Sequence, residues 1–408
     1  VNPFDVESIR SQFPSLHRQI DGHTPVFFDN PAGTQVPQRV IDAIVSYFVS
    51  MNANQGGAFA TSQRTDQMVQ SVREKLALFL NADNASEIVI GANMTTLNFA
   101  LTRALAATMQ PGDELVLTRM DHDANVSPWL RIAEDRGLVV KWVDVNPQDC
   151  TLDLNSLEAA LTDRTRVVAT VHASNAAGTI NPILQIAGMA HAAGALHVVD
   201  AVQSAPHIAL DVQSIGCDFL LCSSYKFFGP HAGILWGRYD LLEALPAYKV
   251  RPAKDVPPFR WETGTPAFEL IAGIGATIDY LASIAGSAET TRPAIVESYA
   301  VMSAYEHELT SHLLQVLDHP AVHVAGISDP ARADERVPTV IFTIDGYTAE
   351  QVARRLADHG IFVWDGNYYA LEIMRVLNQP DGMVRVGLAH YNTHAEIDRF
   401  AEALATLL

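Results

Sequence analysis

A chain of 408 residues, 48% hydrophobic and 18% charged, is too long for one core and too apolar to be disordered, so a soluble globular protein of two domains is expected. Its formal charge of −19 works against nonspecific nucleic-acid binding, and no apolar run approaches the roughly 18 residues of a membrane span. Cys150, Cys217 and Cys222 have neither metal-type spacing nor an even disulfide set, so no metal and a reducing cytoplasm are expected. The opening Val1-Asn2-Pro3-Phe4-Asp5 carries neither the basic nor the apolar stretch of a signal peptide.

In chain order, a helix is predicted at Asp5–Phe13, then a series that alternates short apolar runs with helical patterns. Strands are predicted at Glu87–Ala92, Glu114–Thr118, Val139–Val145, Val167–His172, His197–Asp200, Phe219–Cys222 and Ile234–Trp236. Helices are predicted at Met94–Ala107, Val126–Asp135, Leu154–Leu161 and Ile183–Ala193. That alternation predicts an α/β unit with a mostly parallel sheet, mixed where the Leu221 run and its return at Gly233–Trp236 pair locally. After about Pro293 the pattern changes to helix Ile295–Leu317, strand Thr339–Ile344, helix Ala349–His359, strands Ile361–Trp364 and Met383–Gly387, and a helix from Ala395. The expected division is therefore 23–290 for the large unit and 291–408 for a small α+β unit, with 1–22 packed on the latter.

Chemistry concentrates at the predicted strand ends. Lys226, just past an apolar strand in Cys222-Ser223-Ser224-Tyr225-Lys226-Phe227-Phe228-Gly229-Pro230, is oddly placed for a surface charge. Burial lowers a lysine pKa, which suits an amine that forms a Schiff base. Asp200 closes the run Val198-Val199-Asp200, where open α/β sheets bind ligands; the alternative is a helix cap. Asn175, in the small polar loop Ser174-Asn175-Ala176-Ala177-Gly178, is either a ligand donor or a turn residue.

Together the ordered segments resemble the class V aminotransferase family, the fold-type I group of pyridoxal 5′-phosphate (PLP) enzymes that includes cysteine desulfurases. They are Asn30-Pro31-Ala32-Gly33, Asp121-His122-Asp123-Ala124-Asn125, Asn175 to Gly178, Asp200 to Gln203, Ser223 to Lys226, Glu262-Thr263-Gly264-Thr265-Pro266, and Arg385. The resemblance implies a seven-stranded-type, mostly parallel sheet domain, a smaller C-terminal domain, and a small-molecule amino acid as substrate. It implies Lys226 as the Schiff-base lysine and proton carrier, Asp200 at the ring nitrogen, and His122 on the ring face as a further catalytic group. Gln203 and Asn175 would meet the ring oxygen. Ser223, Tyr225 and the helix start Asn93-Met94-Thr95 would hold the phosphate. Gly264 and Thr265 would reach the phosphate of a neighbouring subunit in a homodimer with shared sites. Arg385 would grip the substrate carboxylate, near Ala32, Gly33 and Asn175; its alternative is a salt bridge between domains.

The sequence departs from the desulfurase branch where a nucleophilic cysteine is expected before the arginine. Trp364-Asp365-Gly366-Asn367-Tyr368-Tyr369-Ala370-Leu371-Glu372 has none, and Tyr369 lies near that position. A phenol is a poor sulfur acceptor. An aminotransferase is therefore expected first, with a C–S β-lyase or an amino-acid epimerase as alternatives. A PLP-binding regulator does not fit, because no basic DNA-binding unit accompanies these residues.

Overall fold

The computed structural model describes residues 4–408, so residues 1–3 of the expected N-terminal segment lie outside the described residues. Its strands are β1 (Val26–Phe27), β2 (Ile88–Gly91), β3 (Glu114–Thr118), β4 (Val139–Val143), β5 (Thr165–Val171), β6 (Leu196–Asp200), β7 (Phe219–Ser223), β8 (Gly233–Gly237), β9 (Val322–Ala325), β10 (Thr339–Ile344), β11 (Ile361–Phe362), β12 (Trp364–Gly366) and β13 (Met383–Gly387). Strands β2 to β8 form one seven-stranded sheet in the order β2-β8-β7-β6-β5-β3-β4. β7 through β4 run parallel, and β8 runs against both its neighbours, as the local pairing predicted.

This sheet is buried on both faces, which is why its strands read as unbroken apolar runs. Alternate residues serve different cores. Leu220 and Cys222 of β7 pack with helices Gln38–Ser50, Ala60–Leu80 and Phe268–Ser283, whereas Phe219 and Leu221 face helices Met94–Ala106 and Ser127–Arg136. The first three helices were not anticipated. In Ala60–Leu80 the buried Val69, Val72, Leu76, Phe79 and Leu80 keep helical spacing only in its second half, behind a polar first half.

The smaller sheet, order β12-β13-β10-β9, is antiparallel. It packs on helices Arg292–Val316, Ala349–Asp358 and His394–Ala405, the last two fixed by capping boxes at Thr348 and Thr393. The strand expected at Ile361–Trp364 is two. Ile361 and Phe362 pair with β1, and after Val363 the chain turns to pair with β13, so one apolar run serves two sheets. β9 was also missed, being only four residues close behind a long helix. Among the described residues no helix is long and apolar enough to cross a membrane.

The parallel strands β3, β5, β6 and β7 end on one edge of the large sheet. The segments that follow them converge there with the start of helix Met94–Ala106 and with β13.

Candidate active site

Lys226 ends a single tight turn, Ser224–Lys226, directly after β7. That turn returns a buried side chain into the cavity at the sheet edge. Its Nζ donates to the Pro31 carbonyl and lies 5.1 Å from the Tyr225 ring centroid. Burial and the Arg385 charge push the amine down to about 7, with Asp200 opposing.

Asp200 is the last residue of β6 and is buried. Its Oδ1 accepts from the Val202 N–H at 2.9 Å, so it caps the local turn and also lines the cavity. Burial raises its carboxyl to about 6. A buried carboxylate with one backbone donor suits a cationic N–H, such as a protonated ring nitrogen.

His122 follows β3, and its Nδ1 accepts from the Ala124 N–H at 3.0 Å, which leaves the neutral ring's proton on Nε2. Burial, then the charges of Lys226 and Arg385, hold this imidazole down to about 3. Its ring stacks on Tyr369 with centroids 5.6 Å apart and planes at 22°.

Asn175 donates to the Tyr368 carbonyl at 3.0 Å, and Gln203 donates to Thr339 Oγ1 at 3.1 Å. Both amide oxygens are buried with no partner among the described residues, a state that an incoming polar group would relieve. The N–H of Met94 donates to Ser223 Oγ at 3.3 Å, while Asn93 caps the helix by accepting from the Thr96 N–H at 2.8 Å. A Cβ at Gly233 would lie 2.3 Å from the Asn93 backbone, so glycine there lets the helix start sit against the sheet. With no acidic side chain in its first turn, this helix start suits a phosphate.

Arg385 lies mid-strand in β13. Its Nη1 donates to the Asn175 carbonyl at 2.8 Å, and its guanidinium sits 4.3 Å from the Tyr368 ring centroid. Among the described residues no carboxylate is within ion-pair distance, and its Nε has no partner. The expected alternative, a salt bridge between domains, is not formed. Burial pushes this guanidinium down to about 10, with Tyr368 and Asp29 opposing. A buried cation without a counter-ion, lining a cavity, is built for an anionic ligand.

The inner cavity thus gathers Asn93, Met94, Thr95, His122, Asn175, Asp200, Gln203, Ser223, Tyr225 and Lys226. Ala32 and Arg385 line the adjoining outer cavity. Gly33 packs beneath, where a Cβ would meet the Tyr225 ring at 3.3 Å. Gly264 and Thr265 are not brought in. They are exposed and line a separate recess with Glu262 and His231. Glu262 anchors them on the β2 edge through Arg73 at 2.7 Å and the Ile90 N–H at 2.9 Å.

Cys150, Cys217 and Cys222 are all buried and line neither cavity. Burial pushes the thiols up, Cys150 to about 12. Sequence reasoning gave no role to the Pro31 carbonyl that receives Lys226, nor to Asp29, whose buried carboxyl is raised to about 6 near Arg385. Neither a backbone acceptor nor a charge 356 positions away leaves a local signal.

The profile of the family described as Aminotransferase class-V matches residues 26–400. A probable cysteine desulfurase of Synechocystis sp. is 34% identical over 412 residues, covering 97% of this chain and 94% of that protein. The aminotransferase-like protein FGM3 of Gibberella zeae is 34% identical over 420 residues, 99% of each chain. Among solved structures, the apo cysteine desulfurase from Thermococcus onnurineus NA1 superposes with a TM-score of 0.88 at 27% identity, covering 98% of this chain and 97% of that one.

Proposed function

The chain belongs to the class V aminotransferase family of PLP-dependent enzymes, and from that membership we propose that it is an aminotransferase acting on an α-amino acid. One observation carries the proposal: the cavity holds a near-neutral lysine and an unpaired arginine but no thiol, so it offers a proton carrier and a carboxylate grip without a sulfur acceptor.

Lys226 would hold the cofactor aldehyde, Asp200 its ring nitrogen, Gln203 and Asn175 its ring oxygen, and Ser223 with the start of helix Met94–Ala106 its phosphate. The bound cofactor supplies an electron sink for the charge left when Cα loses its proton. The chain does the rest. Arg385 binds the substrate carboxylate and thereby fixes which Cα bond faces Lys226. Lys226, once released, takes the Cα proton on a neutral Nζ; an amine with an ordinary pKa would be protonated and unable to do so. His122, neutral and held by the Ala124 N–H, keeps a flat aromatic face in place without adding positive charge.

We also infer a homodimer. Ile41, Val45, Phe48 and Val49 are exposed along one face of helix Gln38–Ser50, a stripe that supports burial against a second copy. In such a dimer Gly264 and Thr265 would complete the partner's phosphate site. For the expected division at 23–290 and 291–408, with 1–22 on the smaller unit, the Arg10–Glu396 ion pair at 2.9 Å and Phe4 stacked on Tyr305 at 4.7 Å tie the N-terminal segment to the smaller unit. Ile9, Phe13 and Leu16, however, pack in the larger unit, and Val26 and Phe28 in the smaller.

The relatives named cysteine desulfurase favour a second reading, cleavage of a C–S bond as in a β-lyase or a desulfurase-like enzyme. Adding amino acids to the PLP-loaded protein separates the two. Stoichiometric keto acid with conversion of the cofactor to its amine form, reversed by a keto acid, supports transamination. Pyruvate with released sulfide and an unchanged cofactor spectrum rejects it.

A further inference from the structure

The site has a small inner part and a much larger outer part. The inner cavity, about 70 Å³, is lined by Asp200, Ser223 and the helix start. The outer one, about 740 Å³, shares Thr95, His122, Asn175, Tyr225 and Lys226 with it and continues outward. Phe99, Pro128, Trp364, Tyr368 and Tyr369 also line it, together with Asp123, Asp365 and Asn367.

Two of these rings are exposed. Tyr369 stacks on His122 yet is 71% exposed, and Trp364, the cross-strand partner of Arg385, is 47% exposed. Their loop is held in place. Tyr369 O accepts from the Asp123 N–H at 2.7 Å, Tyr368 O accepts from Asn175, and Glu372 pairs with Arg119 at 2.8 Å. Tyr368 and Tyr369 both hold left-handed backbone, φ 54° and 56°, a costly conformation for bulky residues that these contacts maintain.

Resting on the reading above, we propose that the substrate is an α-amino acid with an aromatic or long apolar side chain, and that Tyr369 and Trp364 select it. Arg385 takes the carboxylate and Lys226 faces Cα, so the side chain is left the outer cavity. A serine or cysteine side chain would leave that space to water, and the aromatic rings offer its small polar group no charge-assisted partner. Asp123 and Asp365 also line the cavity, but Asp123 already accepts from Ser127 Oγ at 2.6 Å.

The test has a binding arm and a turnover arm, both on the PLP-loaded protein. By isothermal titration calorimetry 3-phenylpropionate binds about 50-fold tighter than propionate, the scale expected for burying an aromatic group. Tyr369→Phe keeps that ratio, whereas Tyr369→Ala, at an exposed position that tolerates truncation, lowers it to below about fivefold. In single turnovers phenylalanine and leucine exceed alanine, serine and cysteine in kcat/KM by about 100-fold. Equal binding of the two acids, a ratio unmoved by Tyr369→Ala, or faster turnover of small or cationic amino acids each overturns the proposal. If 3-phenylpropionate binds as expected and the favoured amino acids yield no keto acid, the transamination reading fails while the substrate class stands.

Discussion

Lys226 Nζ donates its hydrogen bond to the backbone carbonyl of Pro31, a residue 195 positions earlier in the chain. Pro31 is fixed in turn by Asn30, whose amide donates to Phe27 O at 2.9 Å, Gly387 O at 2.8 Å and Asn392 Oδ1 at 3.0 Å. Gly387 is required for this, since a Cβ there would come within 2.0 Å of the Pro31 ring. The amine on the large sheet is thus oriented by a segment seated on the small one.

Covalent attachment of the cofactor follows the protonation of that amine. With its pKa near 7, Lys226 is cationic below that pH and unreactive, and neutral above it. The fraction of protein trapped by borohydride reduction in the presence of PLP therefore rises as pH passes upward through about 7. Lys226→Ala abolishes both trapping and the visible absorbance of the bound cofactor, with an unchanged far-ultraviolet dichroism spectrum. Trapping at full level in Lys226→Ala would remove the lysine from its assigned role.

Arg385 should act on substrate far more than on cofactor. Arg385→Ala lowers kcat/KM for the amino acid by about 100-fold, the scale of losing a charge-assisted pair, with most of the effect in KM. Arg385→Lys recovers little, because an ammonium cannot offer two parallel donors. Equal losses of PLP affinity and substrate KM would assign it a structural role.

Stability depends on a pair outside the cavity. Arg73 Nη2 meets Glu262 at 2.7 Å and Arg73 Nη1 donates to the Ile88 carbonyl at 2.7 Å, the arginine being almost wholly buried. Glu262→Ala leaves that cation unpaired and costs about 3 kcal/mol, read as a lower urea midpoint. It also frees Gly264 and Thr265, so the variant retains PLP less well if those residues serve a partner subunit.

Acid sensitivity has an identifiable contributor in His197. It is fully buried, its Nε2 lies 2.8 Å from Thr170 Oγ1, and burial holds it down to about 3, so it is neutral in the folded protein. The unfolded chain takes up a proton below its ordinary value of 6.5, so this site's stability is full above 6.5 and declines as pH falls toward 3. Between pH 6.5 and about 5 the loss is about 2 kcal/mol. His197→Asn therefore destabilises at neutral pH, and its deficit shrinks by that amount on acidification. A deficit that is the same at both pH values contradicts the assignment.

How much of this could be read in the sequence depends on range. β3, β10 and β13 were bounded correctly, because each is a short apolar run closed by polar or glycine residues. Lys226, Asp200 and Asn175 were singled out for a related reason: each closes or follows a strand, and parallel strands deliver their ends to one edge, whereas His122 was named only through the family resemblance. The exposed face of helix Gln38–Ser50 and the polar first half of Ala60–Leu80 blurred the periodicity that would have announced them. The stack of Tyr369 on His122 and the left-handed backbone beneath it depend on contacts among segments far apart in sequence, which no local pattern encodes.

That backbone bears on how this branch of the family diversifies. A tyrosine codon lies one base from a cysteine codon, so a thiol at position 369 is a single mutation away. The loop nevertheless presents residue 369 from a conformation tied to Asp123, Asn175 and Arg119. Any side chain placed there inherits that anchoring, so what the loop offers the site is set by its distant contacts as much as by the residue it carries.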